Sequence, residues 1–303
     1  MTRAPQIRFL ADGRRLHLQD GPIDLIVEAS GSEANIRAAY AAAARRFSGL
    51  LDELCGELPL LRAAADPARC LLQGRVARRM HEAVAPFAAG CFITPMAAVA
   101  GAVAEEILGA MAKDAQLERA YVNNGGDIAL YLADGEHFTV GLADRPDASG
   151  LLRTMIVHAD DPTRGVATSG RHGRSLSLGI ADAVTVLART ASKADAAATI
   201  IANAVDLPGH PAVTRCPACD LQPDSDLGAH LVTRDVGELS RSEIEDALEA
   251  GAASARRVLA AGLIEGAALR LHGETIVVGT RAIEAPGLRA PPGGRAAEGA
   301  LHV

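Results

Sequence analysis

The stretch Ala120-Tyr121-Val122-Asn123-Asn124-Gly125-Gly126-Asp127-Ile128-Ala129-Leu130-Tyr131-Leu132 reads as strand, turn, strand. Two short apolar runs, 120–123 and 128–132, flank a turn whose adjacent glycines admit positive φ. Similar runs follow at 137–143 and 152–159, separated by turn residues at Asp134-Gly135 and at 147–150. Working outward, the N-terminal runs 7–10, 16–19 and 23–28 are strands around Asp12-Gly13 and Asp20-Gly21. A further strand is expected at 183–187, and a terminal hairpin at 268–271 and 275–278 with His272 in its turn.

Helical patterns separate these blocks. Ile36, Tyr40, Ala43 and Phe47 share one face of a helix predicted over 33–54, with Gly56 as its stop. A second helix spans 76–85 and ends before Pro86; a third spans 95–111, with Thr94 as N-cap and Pro95 in its first turn. Ser192 is expected to cap a helix reaching Val205, and the capping box Ser240-Arg241-Ser242-Glu243 opens one that runs to about Ala261. Residues 206–233, interrupted by Pro208, Pro211, Pro217 and Pro223, are expected to be irregular. The pattern predicts an α+β fold, a mixed, largely antiparallel sheet flanked by helices. One domain would cover 1–279, and the Pro/Gly/Ala-rich stretch 280–303 has too little to bury for order.

Composition narrows the function. About half the chain is apolar, 49%, which is ample for a packed core, and the formal charge of −7 lacks the basic surface a nucleic acid or an anionic membrane requires. Five sparsely placed cysteines do not make a disulfide framework, and Cys55, Cys70 and Cys91 read as small core residues. The first 13 residues lack the apolar run of a secretory signal, and the longest apolar run, 96–111, is interrupted by Glu105-Glu106. A cytoplasmic protein without a membrane span is expected. Neither a G-x-G-x-x-G turn nor a P-loop is present.

The chemistry concentrates in three places. Between Ala194 and Val205 the only polar residues are Asp195, Thr199 and Asn203, spaced i, i+4, i+8 into one stripe on an apolar helix. A carboxylate there needs a partner or a metal. Asp195 and Thr199 suit a hard cation such as Mg²⁺ together with phosphate; alternatively, Asp195 serves the helix dipole and Thr199 bonds the carbonyl four residues back. The turn 123–127 can cradle an anion on bare N–H groups or be a tight turn only. Thr168-Ser169-Gly170 offers two hydroxyls and a hinge, or a plain loop. Cys216-Pro217-Ala218-Cys219 admits a redox pair, half a zinc site with His210 and His230, or incidental thiols. Arg75, Arg78 and Arg79, and the acidic run 243–249, read as solvated helix faces; His81 has no evident partner.

Several of these segments resemble motifs of the ApbE superfamily, whose best-known members are FAD:protein FMN transferases. Residues 122–128 match V-N-x-G-G-D-I with Asn124 at the variable place, and Ala167-Thr168-Ser169-Gly170 matches A-T-S-G. Asp195 and Thr199 match both key positions of A-D-A-x-x-T. Residues 138–142 with Pro146 resemble W-x-V-G-I followed by D-P, with Phe138 in the tryptophan's place. Residues 101–105 resemble K-G-x-A-x-D, with Ala100, Val103 and Glu105 at the lysine, alanine and aspartate positions. The resemblance implies an ApbE-like fold, with Mg²⁺ held by Asp195 and Thr199. It also implies FAD or FMN bound by Asn124, Gly125, Gly126, Asp127, Thr168, Ser169 and Gly170, and a Ser or Thr hydroxyl on a partner protein as acceptor.

The departures are specific. The family's H-x-x-D-P-type segment, whose histidine is implicated in catalysis, is missing between Gly170 and Asp195, where His172 is the nearby histidine. The lipoprotein signal and the M-G-T-type motif are missing too. No catalytic residue is assigned. A non-catalytic flavin- or metabolite-binding protein, or a small-molecule enzyme using Cys216 and Cys219 in sulfur chemistry, are the other expectations.

Overall fold

Three strands in a meander open the chain: β1 (Gln6–Phe9), β2 (Leu16–Asp20) and β3 (Ile23–Ser30). A helical block follows, with α1 (Glu33–Phe47), α2 (Leu50–Gly56), α3 (Leu58–Leu61), α4 (Arg75–Ala88), a 3-10 turn at Pro95–Ala98 and α5 (Val99–Asp114). The chain then returns to strands with β4 (Arg119–Asn124), β5 (Asp127–Leu132), β6 (His137–Ala143), β7 (Leu151–His158), β8 (Gly165–Ser169) and β9 (Ala183–Ala188). Helix α6 (Ala191–Ala204), β10 (Val213–Pro217), α7 (Ala218–Leu221), β11 (Leu231–Val236) and α8 (Arg241–Ala260) lead to the hairpin β12 (Gly266–Leu271) and β13 (Glu274–Gly279). Two short strands, β14 (Ile283–Glu284) and β15 (Leu301–His302), complete the elements. This computed structural model describes residues 4–143, 151–279, 283–284 and 301–302.

Nine strands form one sheet in the order β1-β2-β3-β4-β5-β8-β9-β12-β13, with antiparallel neighbours throughout. A smaller sheet, β14-β7-β6-β15, includes the parallel pair β15/β6, so the fold is α+β with mixed but largely antiparallel pairing. On the helix side of the large sheet, Phe47, Met80, Ile107 and Met111 pack on Leu18 and Leu25, while Ile201 and Leu248 pack with Val186 and Leu269. On the other side, Phe138, Val140, Met155 and Val157 of the β6/β7 pair cover Tyr121, Ile128 and Leu130. Central strands β4 and β5 are thus buried on both faces, which is why they read as continuous apolar runs. In β3, by contrast, Ile23, Leu25, Val27 and Ala29 alternate with less buried residues.

Several elements differ from the sequence expectation, each for a local reason. The 33–54 helix is broken at Ser48-Gly49, where Gly49 has φ +82° and starts α2. Pro86 lies inside α4, and Thr94 holds the N-cap position of the 3-10 turn but donates its hydroxyl to Asp226 instead of capping with it. Thr190, not Ser192, caps α6 by accepting from the Lys193 N–H, because Ser192 is already bonded to Glu105. The segment expected to be irregular holds the antiparallel pair β10/β11, Pro217 standing at the end of its strand. Cys55, Cys70 and Cys91 are exposed rather than core residues. Pro146 and the turn at 147–150 lie outside the described residues, as does most of 280–303.

Among the described residues, one helical run, Pro95–Asp114, is long and apolar enough to cross a membrane by length and composition. It packs instead against α1, α6, β4 and β5, in the middle of the protein.

Candidate active site

The site is built where the N-terminal end of α5 meets α6 and the β4/β5 turn. Gly101 lets the helices touch: a Cβ there would stand 2.3 Å from the Ala191 carbonyl oxygen. At that crossing the Gly101 N–H donates to Asp195 Oδ2 at 3.0 Å, and the Asn124 side chain donates to the Ala100 carbonyl at 3.2 Å. Glu105, one turn further along α5, accepts from both the N–H and the hydroxyl of Ser192, at 2.6 and 2.7 Å. It thereby holds the first turn of the helix that carries Asp195 and Thr199. Arg79 of α4 completes the clamp, 3.0 Å from the other Glu105 oxygen.

From the sheet side, Asp127 begins β5 and its Oδ1 accepts from the Thr168 N–H at the end of β8, at 3.2 Å. The Thr168 hydroxyl pairs with that of Thr185 on β9 at 2.8 Å. Thr168 and Ser169 therefore end a strand rather than lie in a loop. Gly170 leads into the segment 171–182, which returns beside it.

The electrostatics are unusual. Burial pushes Asp195 up to about 7, against opposing hydrogen bonds from the Gly101 and Ala100 backbone. Burial and the neighbouring Asp195 charge push Asp127 well above the ordinary carboxylate range; the Thr168 N–H and the charge of Arg174 pull the other way. Both carboxylates nonetheless retain intermediate exposure, so solvent reaches them. Thr199, one turn beyond Asp195, is also partly exposed, and among the described residues its hydroxyl has no protein hydrogen-bond partner. It does not bond the carbonyl four residues back, and Asp195 bonds a neighbouring helix rather than its own first turn. Asn203, the last residue of the polar stripe, accepts from the Leu178 N–H at 3.0 Å and is structural.

Asn124 and Asp195 are thus joined through the Ala100–Gly101 peptide, and Asp127 is joined to Thr168 through the threonine's N–H. The anion cradle of the 123–127 turn is altered: the Gly126 N–H is spent on Asn123 Oδ1 at 2.8 Å. Arg174, missed in the sequence, supplies the positive charge instead, since its guanidinium lies over Gly125. The surrounding segment Arg171-His172-Gly173-Arg174 carries three basic groups in four residues, the one signal that could have found it.

The remaining candidates fall elsewhere. Cys216 and Cys219 are free thiols on the β10/β11 unit, and among the described residues no three His, Cys, Asp or Glu side chains converge as a metal site. His210 binds Glu243 and His230 stacks on Phe92, so neither completes a zinc site. His81 is buried, bonded to the Asp66 carbonyl. Arg75 and Arg79 are not merely solvated, because both face the buried Glu106.

The chain matches the family described as AbpE bacteria over residues 7–277, and it belongs to that family. It is 37% identical over 182 residues to the UPF0280 protein of Methanopyrus kandleri, a match covering 59% of this chain and 69% of that protein. It is 38% identical over 134 residues to the UPF0280 protein of Methanothrix thermoacetophila, covering 43% of this chain and 52% of the relative. The matched stretch is thus about half the length of that relative. A crystal structure of the apo form of Pseudomonas stutzeri flavinyl transferase ApbE aligns over 93% of this chain and 97% of its own, with 12% identity and a TM-score of 0.45.

Proposed function

We propose that this protein binds a phosphate-bearing flavin nucleotide, FAD or FMN, together with Mg²⁺, at the partly exposed residues Asp127, Asp195 and Thr199. The carrying observation is a pair of partly exposed carboxylates set so deep that their charge is disfavoured, beside a hydroxyl with no internal partner. A divalent cation removes that penalty, and two carboxylates with a hydroxyl are the hard oxygen donors Mg²⁺ takes alongside phosphate. Asp195 and Thr199 would hold the ion, with Asp127 beside them. When bound, the ion supplies Lewis-acid polarisation of a phosphoryl oxygen. Glu105 fixes the α6 end on which the two ligands ride, Asn124 ties the turn to α5, and Ser169 and Gly170 follow Thr168 at the end of β8. The flavin assignment rests on family membership and on the motif matches at 122–128, 167–170 and 194–199. The three clusters sharing one large sheet support residues 1–279 as a single domain, and five free thiols suit a reducing cytoplasm.

Transfer of FMN to a hydroxyl of a partner protein, with release of AMP, is the reaction this pocket would serve. One observation favours a binding protein without transfer: His172, the histidine nearest the site in sequence, sits 3.3 Å from Asp182 in an internal pair. Calorimetric titration with FAD, with and without Mg²⁺, followed by mass spectrometry of released nucleotide, separates these outcomes. Mg²⁺-dependent binding with AMP release and no free FMN, the FMN appearing as added mass on a protein hydroxyl, establishes transfer; AMP with equimolar free FMN is hydrolysis. Binding without AMP establishes the non-catalytic form, and no binding in either condition removes flavin.

A further inference from the structure

The segment after Gly170 delivers one cation to the site and uses up its others. Arg171 pairs with Asp182 Oδ1 at 2.8 Å, and His172 lies 3.3 Å from the same oxygen. The other Asp182 oxygen accepts from the His272 N–H at 2.5 Å, and the Asp182 N–H donates to the Arg270 carbonyl at 2.9 Å, so the anchor is itself fastened to the β12/β13 hairpin. The Arg171 N–H donates to the Ala181 carbonyl at 2.9 Å, closing the base of the segment. Arg174 alone among these basic groups is left without a hydrogen bond or ion pair among the described residues.

Gly125 has φ +67°, and a Cβ there would stand 2.3 Å from Arg174 Nη2, so the guanidinium occupies space that only glycine leaves open. It stays exposed while sitting close enough to Asp127 for its charge to act there. A guanidinium lying over Gly125, with its donors unspent among the described residues and its charge felt at Asp127, places opposite charges side by side. A ligand group that complements both is an anion able to touch a metal on one side and a planar donor fork on the other, which describes a phosphate.

We propose that Arg174 is the residue that recognises the ligand's phosphate and makes this site prefer phosphorylated ligands over their dephosphorylated counterparts. The assignment rests on the phosphate-and-Mg²⁺ reading above but does not require the ligand to be a flavin.

The test compares wild type with R174M, which keeps the length and removes the charge, and with R174K, which keeps the charge and loses the fork. Each is titrated calorimetrically in Mg²⁺ with inorganic pyrophosphate, FMN and riboflavin, the last two differing only by a phosphate. Expected is a wild-type preference for FMN over riboflavin of about tenfold or more, collapsing towards one in R174M and intermediate in R174K. Pyrophosphate binding should weaken by a similar factor in R174M. Equal FMN and riboflavin affinities in wild type, an unchanged preference in R174M, or equal losses for both flavins would overturn the assignment. If neither flavin binds but pyrophosphate binds and R174M weakens it, Arg174 stands while the flavin reading falls. If none of the three binds wild type, both fall.

Discussion

Two acidic positions within the same helix layer meet opposite fates. Glu106 on α5 is 4% exposed and surrounded by cations: Arg46 Nε at 2.8 Å, Arg79 Nη1 at 2.9 Å and Arg75 Nε at 3.4 Å. Burial alone would raise its pKa, yet the hydrogen bonds and charges of Arg46 and Arg79 hold it below the usual range. Asp195, across the α5/α6 contact, receives only backbone N–H groups, and Asp127 beside it adds a second negative charge. The chain thus neutralises one buried acid completely and leaves a pair of others short of positive charge. The first arrangement tightens the helix layer; the second concentrates disfavoured charge, which is the basis of the proposal made above.

The largest test of that contrast is E106Q. Removing the charge weakens the hydrogen bonds of two arginines at once, although Arg46 keeps Glu53 and Arg79 keeps Glu105. The loss of charge-assisted bonds of this kind costs about 1.5–3 kcal/mol. Urea denaturation should show the loss; a change below about 1 kcal/mol would mean the arginines find water instead and the two acids are not so different. G101A comes next. Its methyl would press on the Ala191 backbone, and overpacking of this kind costs about 1–3 kcal/mol. Thermal melts should register it, and because the same glycine's N–H holds Asp195, Mg²⁺ should stabilise G101A less than wild type.

D195N should move stability the other way. An acid whose pKa rises on folding holds its proton more tightly in the native chain. Its contribution is therefore fully present below about pH 4 and is lost as pH climbs towards 7, the folded value of Asp195. In Mg²⁺-free buffer at pH 8, D195N should gain about 2 kcal/mol over wild type, a figure discounted because solvent reaches the carboxylate. Near pH 4 the two should melt alike. Millimolar Mg²⁺ should raise the wild-type melting temperature at pH 8 and leave D195N unmoved. A wild type whose stability increases between pH 4 and 7 faster than that of D195N would reverse the assigned sign.

Most strands were legible because period, turn glycines and flanking polar residues agree locally: 16–19, 23–28, 268–271 and 275–278 all fall within observed strands. The Ser240 capping box was equally readable, since cap and partner are three residues apart. What escaped depends on distant contacts. Glu105 takes Ser192 out of contention as the α6 cap across 87 residues, and β8 is a strand because β5 and β9 flank it, not because its sequence demands one. At the site, Asp195 and Thr199 were visible as a polar stripe, and Asp127 as part of a turn. That Asp195 comes close enough to act on Asp127 depends on the packing of α6 against α5 and β5. Arg174 was invisible because nothing in its own neighbourhood links it to Gly125, 49 positions earlier.

The finest test concerns Thr199, where the contrast between structural and functional polarity is sharpest. Asn203 on the same stripe spends its oxygen on the Leu178 N–H, whereas the Thr199 hydroxyl has no protein partner among the described residues. T199V preserves the branched shape and removes only the hydroxyl, so stability should change by about 0.5 kcal/mol or less, because no internal hydrogen bond is lost. Mg²⁺-dependent pyrophosphate binding should nonetheless weaken by about tenfold, the worth of one oxygen ligand to a cation or of one hydrogen bond to a charged group. N203A should behave in the opposite way, with a loss near 1–2 kcal/mol from the stranded Leu178 N–H and little change in Mg²⁺ dependence. If T199V binds as wild type does, the free hydroxyl is incidental, and the metal must rely on the two carboxylates without it.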